Sequence, residues 1–551
     1  MKDRYALLQQ GLFPETLPPC FTSSDIKRAL VGLVRELKAK TFHAKRSSDY
    51  VPYSGTKHDG SRRLFASPNP ISYFYVANFI AEHWRTFEQR FAASPFSVSQ
   101  PRVAPARADR PIVIPSLSEL TTVASKKLRH SAFVLKADIA QFFPSIYTHA
   151  IVWSAHGVTA AKADPSPHST RLPFNQLDFF VRNCQRAETR GVLVGPDAFR
   201  LIAEFIVAGI DAELSSELGD KIVGAARHVD DFYLGLGGEV DALVALSALR
   251  EALLRFNLHI NDSKTKVMSG VEPLNELWAQ RLRHRAGHLY FPATDEDVVL
   301  FITEALAQSR EVNSDSPVKI ALRALDDEQA YQHDSTWEIV EPYLQRILHH
   351  HPHSIDYVAL LAVKRSALGL KLDRDGWKGA AYALIQRHLA LNHHHEVVWL
   401  TWLLFGLGIK VDERLSEALA TNQNGHIRAM LVAAHREGLL QRKPSVRLGP
   451  KLSSTDSSWL VNLVARASGY TGAAFGGELA SEFEHLAKKR VKLVDFKAYI
   501  KSASKASSRA ISRTRYGYDQ TDYAQEENEN EDEDEDDLDA AFRKRIRRDN
   551  T

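Results

Sequence analysis

Cysteine is nearly absent from this chain. Of 551 residues only Cys20 and Cys184 are cysteines, which excludes a disulfide framework and any all-cysteine zinc site. Long apolar runs are missing too. No uninterrupted stretch approaches the roughly 18–20 residues of a membrane span. The opening MKDRYALLQQGLFPE lacks the apolar core of a signal peptide. The expectation is a cytoplasmic protein with no membrane partner. Net charge is scarce as well, only +3, which at face value argues against a strongly charged partner.

That small charge hides a split. From Glu526 onward there are eleven acidic residues before Ala540, then five basic ones and Asp549, a net of −7 that leaves +10 on residues 1–525. A basic body with an acidic tail points to a polyanion partner. Segment 25–63 carries ten Lys/Arg against four Asp/Glu, and segment 488–515 carries ten against Asp495 alone. The acidic block 526–539 reads either as a solvated tail or as a nucleic-acid mimic folding back on those basic strips. Apolar residues at 44% and charged residues at 25% are ordinary for a globular chain. At roughly 100–200 residues per domain the length predicts two to four domains.

Periodicity divides the chain. Ile71–Arg90 has helical apolar spacing, and the Pro-, Ser- and Ala-rich segment 91–117 reads as loop or a short linker. Residues 131–270 alternate strands and helices, with strand signals in SAFVLKADI and on both sides of the turn in KIVGAARHVDDFYLGLGG. From about 297 helical segments recur, centred on Trp337–Leu348, Ile355–Val363, Trp377–Leu389, Glu396–Phe405, Leu415–Leu419, Ile427–Ala434 and Trp459–Ala465. Their spacing fits a solenoid of paired helices or an irregular bundle.

Three acids sit where strands end or turn: Asp138 after FVLKA, and Asp230–Asp231 between apolar strands. Carboxylates are costly in such places unless they bind something. If the strands are neighbours, the acids converge on one rim and supply the hard oxygen ligands that two Mg²⁺ ions need. Val-Asp-Asp alone is also an ordinary turn, since Asp is favoured in turns.

The order of motifs resembles the reverse transcriptase superfamily across roughly residues 50–270. Asp138, Phe142, Phe143, Pro144, Ser145 and Ile146 match its first palm motif. GVLVGPDAFRLIAE from Gly191 resembles its Gly-rich loop entering a helix, His228-Val229-Asp230-Asp231 its Tyr-x-Asp-Asp box, Asn261–Lys266 its lysine turn, and SRRLFASPNP its fingers arginine segment. The resemblance implies an α+β right-hand polymerase: N-terminal and fingers region 1–130, and palm 131–296. An all-α HEAT-like domain at 297–500 and a disordered charged tail at 501–551 follow. It implies Asp138, Asp230 and Asp231 as catalytic metal ligands, with Ile139 in the metal set, for two Mg²⁺ ions or Mn²⁺. Phe143 matches a steric gate against the ribose 2′-hydroxyl, Gly195 a close backbone approach to the incoming base pair, Arg62 or Arg63 a triphosphate clamp, and Lys264 a cation near the phosphates.

Departures refine the match. His228 stands where Tyr is usual, Val194 where many members carry Gln, and Phe199 where Ser is common. With the helical C-terminal half, these features resemble bacterial abortive-infection and defence-associated reverse transcriptases. That branch implies antiphage defence and bacterial cytoplasmic location. It also implies dNTP substrates, synthesis that is protein-primed or non-conventionally templated, a dedicated noncoding RNA, a second reverse transcriptase subunit or a homo-oligomer. Tyr50 and Tyr53 are candidate protein primers. A templated enzyme of a mobile element or retron and a non-catalytic RNA-binding scaffold are the rivals. The histidine runs 349–353 and 393–395 read as solvated helix ends more readily than zinc ligands. Trp337, Trp377, Trp399, Trp402 and Trp459 read as core rather than base-stacking platforms.

Overall fold

The N-terminal region is pinned by a hairpin. In a computed structural model, which describes residues 4–40, 47–105, 108–115, 117–274, 276–289 and 294–503, β1 (Val51–Thr56) pairs antiparallel with β2 (Arg62–Ser67), Tyr53 opposite Phe65 and Gly55 opposite Arg63. The acidic block 526–539 and the basic residues beyond 503 lie outside the described residues, and with them almost all of the expected tail. The helix expected over 71–90 is two helices, Pro70–Glu82 and Trp84–Ala93. Asn69 caps the first by accepting from the Ile71 amide at 3.0 Å. At His83 the backbone leaves helical geometry while the ring stacks on Phe79 with centroids 4.0 Å apart.

Segment 91–117 is not a free linker. It holds the small antiparallel pair β3 (Arg102–Val103) and β4 (Ile112–Val113). Just before that, Ser97 bridges Arg227 in parallel, with the Arg227 amide donating to Phe96 and the Val98 amide to Arg227. Pro and Ser weaken the strand signal, but the edge of a neighbouring sheet overrides it by offering unpaired backbone groups.

That sheet lies in the segment 131–296, where a palm is expected. Its four antiparallel strands run in the order β6-β7-β5-β8, with β5 (Phe133–Asp138), β6 (Ile222–His228), β7 (Asp231–Leu236) and β8 (Lys266–Ser269). The helix Glu239–Leu254 packs on β5 and β7, and the helix Leu117–Lys127 lies against β6. The long helix Asp197–Leu218 follows the Gly195-Pro196 turn and is buried over most of its length.

The C-terminal half is helical through every expected segment and, among the described residues, contains four further α-helices, Asp295–Glu311, Ser316–Asp327, Ala480–Lys488 and Phe496–Ala503, but it is not all-α, since Leu452–Ser453 and Phe475–Gly476 pair as short parallel strands. Successive helices pack on one another, Arg374–Ala390 on His394–Gly406 and Gly425–Arg436 on Trp459–Ser468. All five tryptophans are fully buried, as expected of core. The apolar core runs without a break from Leu7 through Phe205 to Phe483, so residue 297 marks a change of secondary structure and not a gap in packing. No described helix is long and apolar enough to cross a membrane.

Candidate active site

The acids meet because of strand register. Asp138, the last residue of β5, lies directly opposite Asp231, the first of β7. Asp230 sits between β6 and β7 in a two-residue turn with Val229, whose φ is +56°. A β-branched residue in the left-handed region is strained, and such strain persists only where surroundings over-determine it. Here Ser99 Oγ accepts from the Val229 amide at 2.8 Å and Arg227 Nη1 donates to its carbonyl at 2.7 Å.

Arg227 is the residue that motif reading missed. It is fully buried, and its guanidinium is shared by Glu204 at 2.9 Å and Asp211 at 2.7 Å. Both acids lie on the helix Asp197–Leu218, seven residues apart and so on one face. Ser97 donates to Glu204 and Ser94 to Asp211. Burial opposes the charge of Arg227, yet Asp211 and Glu204 outweigh it and hold the guanidinium firmly protonated. The signal was legible: two acids seven apart in an apolar helix, and an arginine just before the box.

Within the triad, burial and mutual repulsion outweigh the nearby cations at Asp230 and Asp231. Asp138 is buried; Lys264 Nζ lies 2.7 Å from its Oδ2, and the Asn261 amide donates to its carbonyl at 2.7 Å. Its bond to the Asp138 carboxylate, then the charges of the three acids, raise Lys264 despite partial burial. Asp230 is pushed up to about 7, first by burial, then by Asp231 and Asp138, with Arg63 pulling the other way. Asp231 is raised by burial and by Asp138. Like charges this close are relieved by a proton or by a cation. The donors are hard carboxylate oxygens on a half-open rim, which fits Mg²⁺ or Mn²⁺. The three are set wider than a single compact ligand cluster: among the described residues only His388, His393 and Glu396 bring three ligand atoms within 4.8 Å of one another. Ile139 has a buried hydrocarbon side chain and its amide donates to the Asp230 carbonyl at 3.3 Å. Only its backbone carbonyl could join a cation.

The two arginines of β2 part ways. Neighbouring residues of a strand face opposite sides. Arg63 is exposed and acts on Asp230. Arg62 turns to the helical half, where Nη1 lies 2.6 Å from Glu396 Oε1, while Nη2 donates to the Ser54 carbonyl of β1 at 2.6 Å. Its expected role at a triphosphate is therefore corrected: its guanidinium is spent on a buried carboxylate. Phe142 is core, while Phe143 is half-buried with its ring 5.2 Å from Phe142. The Gly-rich loop adjoins it, since the Val192 amide donates to the Phe143 carbonyl and the Ala66 amide of β2 to the Val194 carbonyl. Gly195 does need its glycine, with φ +117° and a Cβ that would meet Pro14 at 2.7 Å. The close neighbour on that side is Pro14, not an open path for a base pair. His228 is buried, with Nε2 3.2 Å from the Pro115 carbonyl, and burial holds it down as a neutral imidazole.

Two further expectations change. Tyr53 is fully buried and its hydroxyl contacts the Thr16 carbonyl and His395 Nδ1, so it is no primer. Tyr50 is half-buried. The histidine runs are only partly solvated. His349 and His350 are exposed, but His353, His394 and His395 bind the hairpin: His353 Nδ1 at the Thr56 carbonyl, His394 Nδ1 at the Ser54 amide, and His395 at Tyr53.

No family model matches the chain, and no curated protein matches it by sequence. Among solved structures it is similar to apo telomerase of Candida tropicalis, 11% identical over 74% of this chain and 73% of that one, with a TM-score of 0.31. It is also similar to Candida albicans telomerase in complex with a fragment of telomeric RNA, 11% identical over 67% and 68% with a TM-score of 0.28. Against the Candida tropicalis form truncated from its C-terminal domain, the match covers 44% of this chain and 56% of that chain, at 12% identity and a TM-score of 0.27. At these scores the similarity carries no argument, and the site rests on its own geometry.

Proposed function

We propose that the protein is a reverse-transcriptase-like nucleotidyltransferase that adds deoxynucleotides to a nucleic-acid or protein hydroxyl. The observation that carries this reading is the pairing of Asp138 with Asp231 across the sheet, with Asp230 in the adjoining turn and raised by its burial and by both other acids. Asp138 and Asp230 would hold two Mg²⁺ ions, or Mn²⁺, with Asp231 supporting them. Bound magnesium would lower the pKa of an attacking hydroxyl and stabilise departing pyrophosphate. Arg63, exposed beside Asp230, would draw in the nucleotide's phosphates. Lys264 would hold Asp138 in place before a nucleotide enters and then turn its charge, or a proton, to the pyrophosphate. Phe143 would set the floor under the sugar and disfavour a ribose 2′-hydroxyl. RNA as template or partner, a second subunit, and a role in antiphage defence belong to the same reading and rest on the sequence resemblance.

The test uses the purified full chain with Mg²⁺ and each labelled dNTP, with and without co-purifying RNA. Label should enter polymer or protein with the intact chain and vanish when Asp230→Asn and Asp231→Asn are combined. Equal incorporation by the double variant overturns the catalytic reading. A label that migrates with the protein identifies a protein primer.

A further inference from the structure

Two histidines beside the joint between hairpin and helical half face each other. We propose that His388, His393 and Glu396 form a binding site for a divalent cation of the zinc class, apart from the aspartate triad. His388 lies in the last turn of the helix Arg374–Ala390. Asn392, at φ +53°, turns the chain back so that His393 opens the next helix, His394–Gly406, facing His388. Glu396 follows three residues later, on the same face as His393.

The spacing is that of ligands around an ion. His388 Nδ1 and His393 Nδ1 are 3.1 Å apart, and His393 Nδ1 is 3.8 Å from Glu396 Oε1. All three ligand atoms lie within 4.8 Å of one another. A tetrahedral zinc with bonds of about 2.0–2.1 Å sets its ligand atoms about 3.3 Å apart, between the two measured values. A hydrogen bond between the imidazoles explains 3.1 Å. Glu396 Oε1 stands 3.8 Å from the same nitrogen, beyond hydrogen-bond reach of it, held there by Thr56 and Arg62.

Chemistry and access agree. Two imidazoles and one carboxylate favour zinc over magnesium, which takes oxygen ligands. His388 and Glu396 are buried, while the His393 side chain keeps 29% exposure, which leaves an entry and an open coordination position. Glu396 Oε1 is oriented from outside by Thr56 Oγ1 at 2.5 Å and Arg62 Nη1 at 2.6 Å, and Arg62 Nη2 reaches Oε2 at 3.2 Å. Such outer partners fix a ligand's direction. Arg62 also brings a positive charge, which lowers affinity and makes the site a reversible one. An ion here would tie the helix Arg374–Ala390 to the helix His394–Gly406, beside the contact of Glu396 with the hairpin.

The test uses the full chain without an affinity tag, stripped with a chelator and titrated with Zn²⁺ by calorimetry and with Co²⁺ by absorption. The expected result is one equivalent of Zn²⁺ and visible Co²⁺ bands of a tetrahedral site. His393→Gln should weaken Zn²⁺ binding by more than about tenfold, the least that losing even an outer partner costs, with an unchanged melting temperature without metal. Because the Co²⁺ spectrum is read on the unaltered chain, a variant that fails to fold leaves that readout standing. Absence of stoichiometric binding overturns the site. So does binding that survives His393→Gln and disappears when the exposed His349 and His350 are replaced by Gln.

Discussion

The turn between β6 and β7 and the joint between hairpin and helical half both bury carboxylates, and the two treat them in opposite ways. At the turn, burial and two acidic neighbours push Asp230 up to about 7. At the joint, burial would raise Glu396, but His395 and the hydrogen bonds from Arg62 and Thr56 hold it at about 2. Asp356 is likewise held down against its burial by Lys319, His395 and His353. Burial is common to both regions, so partners make the difference. Hydrogen-bonded by Arg62 and Thr56, Glu396 fastens the hairpin to the helical half, whereas Asp230, raised by burial and like charges, awaits a cation.

The comparison breaks most plainly at Arg62. Arg62→Ala strands Glu396, which is 1% exposed, and should cost about 3–5 kcal/mol of stability, read by denaturant unfolding. Incorporation per folded molecule should stay within about twofold, because Arg62 does not face the triad; a loss of incorporation without a loss of stability would reverse the assignment. Asp230→Asn should do the opposite. Removing one charge-stabilising group from the reaction should lower incorporation by roughly 10²-fold or more, while thermal stability rises because a repelled carboxylate is gone.

Smaller effects come from pH. Asp230 is raised in the folded chain, so its contribution to stability is complete below its ordinary value of 3.8 and is lost as pH rises through about 7. Mg²⁺ should abolish that alkaline loss, a difference visible in melting curves with and without the ion. His394 and His395 are lowered to about 4, chiefly by burial. Their contribution is complete above 6.5 and is lost as pH falls toward 4, so the joint should loosen first in acid. A melting temperature flat from pH 4 to 8 would contradict both halves of the contrast. The smallest effect is at Phe143. Phe143→Ala should raise ribonucleotide relative to deoxynucleotide incorporation by about tenfold, measured by competing the two substrates.

Local signals were readable in the sequence where local rules decide. The apolar strands, the two-residue turn and the helix spacing needed no distant partner, and the triad followed from them. Partnerships across the chain were not readable. Arg62 and Arg63 are equivalent in sequence, and only the strand's facing and Glu396, 334 residues away, separate them. Ser99 looks like linker until the Val229 amide meets it. Tyr53 looks like a tyrosine in a basic, polar segment, yet its hydroxyl is enclosed by a histidine from the other half. The histidine runs misled for the same reason: their solvation is decided by the hairpin that covers them.

The fastening of β1 to the helical half also sets a timetable. Tyr53 and His395 are 342 residues apart. At roughly 5–20 residues per second, a ribosome needs roughly 17–70 s to synthesise the second after the first. Through that interval the hairpin has no cover for its Tyr53 face. Nascent chains should therefore gain protease resistance at the N-terminal hairpin only once residues near 426, which supply the bond from Ser67 to His426, have left the exit tunnel.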